Sequence, residues 1–264
     1  MAWSRGADAP VADSDSPASP APGPAFYARS GGRMAQWWTL LHPPYTLWHL
    51  SYVVLGAAAV PEPDPAVLAA TVLAFLLAMG VGAHALDELH GRPLGTTLPD
   101  PALWTVAVVS VSAAVGIGVG LALSAPLLWP LVALGPVLVL GYNLELVGGR
   151  MHTDTVFALA WGGFPVLAGY VAQAPGWSAA GVLAVGAAAG AGVALSTAQR
   201  RLSTSARDLR RRTAAVEGRL VRPDGSAVPL DRSRLLDPLE GGLRALCWAV
   251  PLVALAALLA RLAY

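Results

Sequence analysis

The chain contains no lysine, and its 17 basic side chains are all arginines. Charged residues make up only 12% of the 264 positions, about half the share of an ordinary soluble domain. With 55% hydrophobic residues and a mean hydropathy of +0.57, that scarcity excludes a soluble globular protein and fits an integral membrane protein. A single cysteine, Cys247, excludes an internal disulfide and any paired-cysteine motif. It sits in an apolar run, where a buried structural thiol is expected. The chain also lacks a Gly-rich phosphate loop, a nucleophile elbow and a repeat of 20–50 residues. Without inverted internal symmetry a transporter is poorly supported. No apolar core follows Arg5, so the start of the chain does not read as a signal peptide. The net charge of +1 averages apolar runs with one basic loop, and no nucleic-acid partner is expected. Abundant alanine without lysine points to a GC-rich bacterial genome, hence to a bacterial inner membrane. Nothing fixes an oligomeric state.

The remaining sequence is dominated by seven apolar runs: 44–60, 66–86, 102–123, 127–147, 155–172, 179–198 and 243–262. Each is close to the ~20 residues that cross a bilayer as a helix. Lipid offers no partner to exposed backbone, so runs of this composition must be helical, and the fold class expected is all-α. Threading the chain back and forth collects sixteen arginines on one side, leaving only Arg261 on the other. Cationic side chains resist translocation, so the arginine-rich side is cytoplasmic and carries the amino terminus.

Residues 1–33, rich in Ala, Pro, Ser and Gly, read as a disordered cytoplasmic tail ahead of a membrane domain spanning 34–264. From Met34 to His42 a short interfacial helix is expected, restarted by Pro43 and Pro44. A basic cytoplasmic insertion covers 199–238. Its first half continues the sixth span as a helix, and Leu220–Leu230 forms a hairpin about a Pro-Asp-Gly-Ser turn. Gly116, Gly118 and Gly120 carry the spacing of helix-packing glycines.

Ionisable groups cluster at the cytoplasmic ends of the runs. His84, Asp87, Glu88 and Arg92 follow helical spacings of three and four at the end of the second span. Four such groups within nine residues exceed what topology requires, and a functional site is the expectation. Tyr142, Asn143 and Glu145 close the fourth span. Asn143 and Glu145 either line a cavity or bond between helices, and Asp154 reads first as a helix cap. His42 and His49 read as satisfied lone histidines. Arginine forks grip phosphate oxygens in pairs. Of the loop arginines, Arg200 and Arg201 lie closest to the membrane and are the best placed; the rest follow from topology alone.

The order of these elements resembles the UbiA superfamily of intramembrane prenyltransferases and their terpene-cyclising relatives. The resemblance rests on Trp37–Ala59 as the entry helix, Ala83–Gly91 where an Asp-rich motif ends the second helix, and Gly141–Arg150 with Leu159–Tyr170 as the following passage. It covers about residues 34–215 and is one of layout more than of motif. Set against N-D-x-x-D-x-x-x-D, the chain offers Ala83, His84, Asp87 and Gly91; at the second motif it has Gln199, Ser203 and Asp208. Seven spans also replace the superfamily's usual nine.

The resemblance implies a helical bundle around a cavity open to the cytoplasm, with Mg²⁺ on carboxylates holding an isoprenoid diphosphate. On that reading Asp87 and Glu88, with Asp154, ligate Mg²⁺, and His84, Tyr142 and Asn143 complete the catalytic set. Arg92, Arg150, Arg200 and Arg201 bind the diphosphate, and Tyr142 or Trp161 shelters a carbocation by cation–π contact. Two alternatives stay open: a metal-dependent lipid enzyme using His84, Asp87, Glu88, His90 and His152, and a non-catalytic membrane protein descended from a prenyltransferase.

Overall fold

The computed structural model describes residues 23–174 and 176–263. It is mostly helical, with one small hairpin. A short helix α1 (Arg33–Leu40) leads into α2 (Pro43–Ala57). Six longer helices follow: α3 (Pro65–Leu89), α4 (Asp100–Ser124), α5 (Pro126–Asn143), α6 (Asp154–Gln173), α7 (Ala179–Arg211) and α8 (Arg232–Leu262). These six are each long and apolar enough to cross a membrane. The expected spans end within four residues of them, except that α7 continues to Arg211, as the helical reading of the basic insertion expected, and α8 begins at Arg232 rather than 243.

The seventh expected span is α2, and it is of a different kind. At 15 residues it reaches about 22 Å, short of a ~30 Å hydrocarbon core. Its side chains Trp48, Tyr52, Val53 and Ala57 are fully buried, because α3, α6, α7 and α8 surround it. The outer helices instead turn Val108, Val109, Leu123, Leu183, Trp248 and Val253 outward. Apolar surface on that scale requires an apolar solvent or partner.

Close packing at the centre depends on glycine. A Cβ on Gly56 would run into the carbonyl of Val166, and one on Gly169 into that of Val53, so α2 and α6 cross backbone to backbone. Gly162 and Gly192 play the same part where α6 meets α7. The glycines singled out by spacing contribute less: only Gly118 touches a neighbour, the Val132 side chain.

Two helices carry π turns, Leu76–Ala83 in α3 and Leu159–Gly163 in α6. Beyond the bilayer-length part of α7, the hairpin β1 (Arg219–Val221) and β2 (Ala227–Pro229) forms in the expected place, with Leu220 opposite Val228. Of the expected tail, residues 1–22 lie outside the described residues. The next few do not read as a free tail: Phe26 and Tyr27 pack edge-on against Tyr45. Two aromatic rings in a polar segment are enough to seat it on an aromatic surface.

Candidate functional site

At the arginine-rich end the helices diverge around a cavity with about 1140 Å³ of empty volume. Its walls include His42, Tyr45 and His49 from the start of α2, His84 and Asp87 from α3, and Tyr142 and Asn143 from α5. Phe157 and Trp161 come from α6, while α7 contributes Gln199, Arg200, Ser203, Arg207, Arg210 and Arg211. Phe26 and Tyr27 roof it.

Local backbone chemistry explains why these side chains point inward. Pro165 has no N–H, so the carbonyl of Trp161, four residues earlier, loses its helical donor. His49 takes that carbonyl through Nδ1 at 2.8 Å. The π turn of α3 similarly accompanies a bond from His84 Nδ1 to the carbonyl of Gly80, at 3.0 Å. His152 Nδ1 bonds the carbonyl of Tyr142 at 3.1 Å. In each ring the carbonyl makes Nδ1 the donor, and a neutral ring then presents Nε2 as an acceptor. His42 adopts a left-handed backbone (φ 46°) directly before Pro43, and its ring faces that of His84 at 4.3 Å. Tyr27 hydroxyl meets His42 Nδ1 from above. Burial holds His42 well below the usual imidazole range, and His84 and Arg207 push it the same way.

Only part of the expected residue set converges on the cavity. Asp87, His84, Tyr142, Asn143 and Arg200 line it. Glu88 does not: it is fully buried and accepts the backbone N–H groups of Leu94 and Thr96, at 2.9 and 2.8 Å. One residue of helix rotates a side chain by 100°, so Asp87 faces inward while Glu88 ties down the following loop. Arg92 is engaged with that loop too, donating to the Leu98 carbonyl at 2.7 Å and pairing with Asp100. Arg150 and Arg201 are outside the lining. Asp154 is an exposed partner of Arg200 at 3.0 Å, and Thr153 rather than Asp154 caps α6, accepting from Val156 N. Glu145 stands at the surface between His90 (3.5 Å) and His152 (3.8 Å).

Three arginines that topology alone accounted for, Arg207, Arg210 and Arg211, also line the cavity. Along α7, Gln199, Ser203, Arg207 and Arg210 recur at steps of three and four, continuing the inner face of the span into water. That phase was present in the sequence as a signal. Arg210 is gripped by the buried Glu240, which Arg244 also contacts at 3.2 Å. Arg211 donates to the carbonyl of Pro93. Among the described residues Arg207 has no ion-pair partner, so it is the uncommitted cation at the rim.

The aromatic wall is continuous. Tyr142 stacks on His152 at 4.4 Å and leans on Trp161 at 4.7 Å, and Phe157 lies parallel to Trp161 at 5.8 Å. Behind Trp161 opens a second, apolar pocket of about 850 Å³ between α3, α4, α5 and α6, lined by residues such as Phe75, Val111, Val132 and Phe164.

Carboxylates suited to a metal are few here. Among the described residues no group of three or more His, Cys, Asp or Glu side chains converges. Of the cavity's acids, Glu240 is bound by arginines, which leaves Asp87. A cluster of several Mg²⁺ ions on carboxylates does not fit this donor set. A single Mg²⁺ shared between Asp87 and phosphate oxygens does, since this ion is commonly held by one or two carboxylates plus substrate. Comparison with known protein families, characterised proteins and solved structures returns no match for this chain.

Proposed function

We propose that the chain is a multi-pass enzyme of the bacterial inner membrane, akin in layout to the UbiA superfamily, that ionises an allylic isoprenoid diphosphate for prenyl transfer or terpene cyclisation. Its amino terminus is cytoplasmic and α2 counts as a seventh, sheltered span. The observation that carries this reading is the convergence of Arg200, Arg207, Arg210, Arg211 and Asp87 on one aromatic-lined cavity, with an apolar pocket behind the shared residue Trp161. Charge and apolar volume of that kind suit a ligand with an anionic head and a hydrocarbon tail.

The chemistry asked of the chain is modest. As the allylic C–O bond breaks, its electron pair leaves with the diphosphate, and negative charge grows on oxygens facing the arginines. Fixed guanidinium groups in a partly dry cavity stabilise that growth without reorganising. The faces of Tyr142, Phe157 and Trp161 shelter the allylic cation left behind. Phe26 and Tyr27 over the mouth limit the entry of water. A bound Mg²⁺ on Asp87 would supply further neutralisation of the leaving group.

The test is incubation of the purified protein with C10, C15 and C20 allylic diphosphates, in the presence of Mg²⁺. Release of diphosphate together with a new apolar product on gas chromatography is the expected result. Binding without release would favour the non-catalytic descendant, and neither binding nor release would remove the reading. Reporters fused after Arg92, Arg150 or Arg219 should be cytoplasmic and one after Tyr264 external; an external signal at Arg219 would reverse the orientation.

A further inference from the structure

Residues 23–29 cross the mouth of the cavity without forming a helix or strand, and Pro24, Ala25, Phe26 and Tyr27 belong to its lining. A turn closed by Ala28 N and the Ala25 carbonyl, at 3.1 Å, carries the two rings at its centre. Tyr27 reaches the ring of His42, and Phe26 packs on the buried cluster of Ala206, Leu236 and Leu243. Arginines fasten both ends. The Gly23 carbonyl accepts from Arg210 at 3.2 Å, and the Arg244 guanidinium lies over Phe26 at 5.2 Å. At the other end Arg29 N donates to Thr39 Oγ1 at 3.0 Å, and its guanidinium rests on Trp38 at 3.9 Å. Irregular backbone held by so few contacts is the part of a fold that opens most readily.

We propose that residues 23–29 are an autoinhibitory strap, which covers the mouth of the cavity and is displaced by an oxyanion ligand. Arg210 is the point of competition. Glu240 takes its Nε and one terminal nitrogen, the latter at 2.8 Å, and the Gly23 carbonyl takes the other terminal nitrogen. An oxyanion brings a full negative charge to the guanidinium where the carbonyl brings only a dipole, so it wins that nitrogen. Losing Gly23 frees one end of the strap, and the turn carrying Phe26 and Tyr27 leaves the opening through which the ligand must pass. Strap and ligand therefore exclude each other. A ligand that binds only the open form has its affinity reduced by the fraction of molecules that are open, so whatever loosens the strap tightens the ligand. Competition at Arg210 rests on the oxyanion site proposed above, whereas closure of the mouth by the two rings does not.

The test uses the full chain in detergent, titrated with inorganic diphosphate, and its first variant is Arg29→Ala. Arg29 and Trp38 lie outside the cavity lining, so this change reaches the cavity only through the strap. The variant should bind diphosphate about threefold more tightly than wild type, the worth of an exposed cation–π contact, although it has lost a positive charge. Phe26→Ala combined with Tyr27→Ala should bind it about tenfold more tightly. Affinity that is unchanged or weaker in both would overturn the proposal; should the double variant fail to fold, Arg29→Ala decides. In wild type, diphosphate should speed tryptic cleavage after Arg29 and leave cleavage after the hairpin's Arg219 unchanged. Protection at Arg29 would make the segment a lid that closes on its ligand, and would overturn displacement. Access is read separately at Ala206, which is 6% exposed in the cluster that Phe26 packs on. In Ala206→Cys, a negatively charged methanethiosulfonate should react about tenfold faster once the rings of Phe26 and Tyr27 are removed. The chain with Ala206 intact reports Cys247 alone. No diphosphate binding in any form would sink the diphosphate reading, and the strap would then stand or fall on thiol access: a faster reaction keeps it as the cavity's cover, equal rates remove it.

Discussion

Asp87 and Glu88 are adjacent on α3, as Arg200 and Arg201 are on α7, yet one member of each pair faces the cavity and the other does not. Glu88 is spent on two loop amides, and Arg201 is exposed outside the lining. The two helix ends therefore teach the same lesson. The count of charged residues at a membrane surface reports topology, while their rotational phase, set by 100° per residue, reports the site. Charge density alone had nominated all four residues.

The sharpest way to break this contrast is at Asp87. Replacing it with alanine should lower turnover by about 100-fold or more, because the carboxylate that would hold Mg²⁺ against the leaving diphosphate is lost, while the protein stays folded. Product formation at the wild-type rate would remove this helix end from the mechanism. On α7, Arg207→Ala should weaken binding of inorganic diphosphate about 10- to 100-fold, as expected for lost charge-assisted bonds. Arg201→Ala should change it by no more than about twofold, since exposed charges contribute little. Equal effects at the two arginines would show that only the net charge of the loop matters.

Glu88 sharpens the comparison from the other side. Glu88→Ala should destabilise the protein by about 2–3 kcal/mol, because two amides lose a buried acceptor, with the unfolding temperature as the measurement. Catalysis per folded molecule should remain. A stable variant with no turnover would return Glu88 to the site. The smallest effect concerns the roof. Composition reads residues 1–33 as a disordered tail, but the structure seats Phe26 and Tyr27 on Tyr45 and His42. Truncation to residue 30 should cost about 1 kcal/mol through the lost aromatic contacts. An unchanged unfolding temperature would show that these rings rest on the bundle without supporting it.

What was legible from the residues alone followed from rules that act along one chain. Long apolar runs must become helices in a medium without hydrogen-bond partners, so the helical class and nearly every helix boundary could be read directly. The Pro-Asp-Gly-Ser turn specified its hairpin, and Pro43 with Pro44 specified the restart of α2. The glycines of closest approach were not legible, since Gly56, Gly169, Gly162 and Gly192 differ from Gly116 and Gly120 only in what stands opposite them. Nor was the status of α2 as an inner helix, which depends on four other helices surrounding it.

The site divides along the same line. Sequence alone determined that ionisable side chains crowd the arginine-rich ends of the helices, because charge is expelled from the apolar interior whatever the fold. Only the tertiary structure decided which of them converge. The Trp161 carbonyl that Pro165 leaves free is taken by His49 from far along the chain, the fold of the loop after α3 brings its amides back to Glu88, and the packing of α7 sets the rim position of Arg207. Local rules fix where a side chain lies along its helix; what it meets is settled by packing between helices.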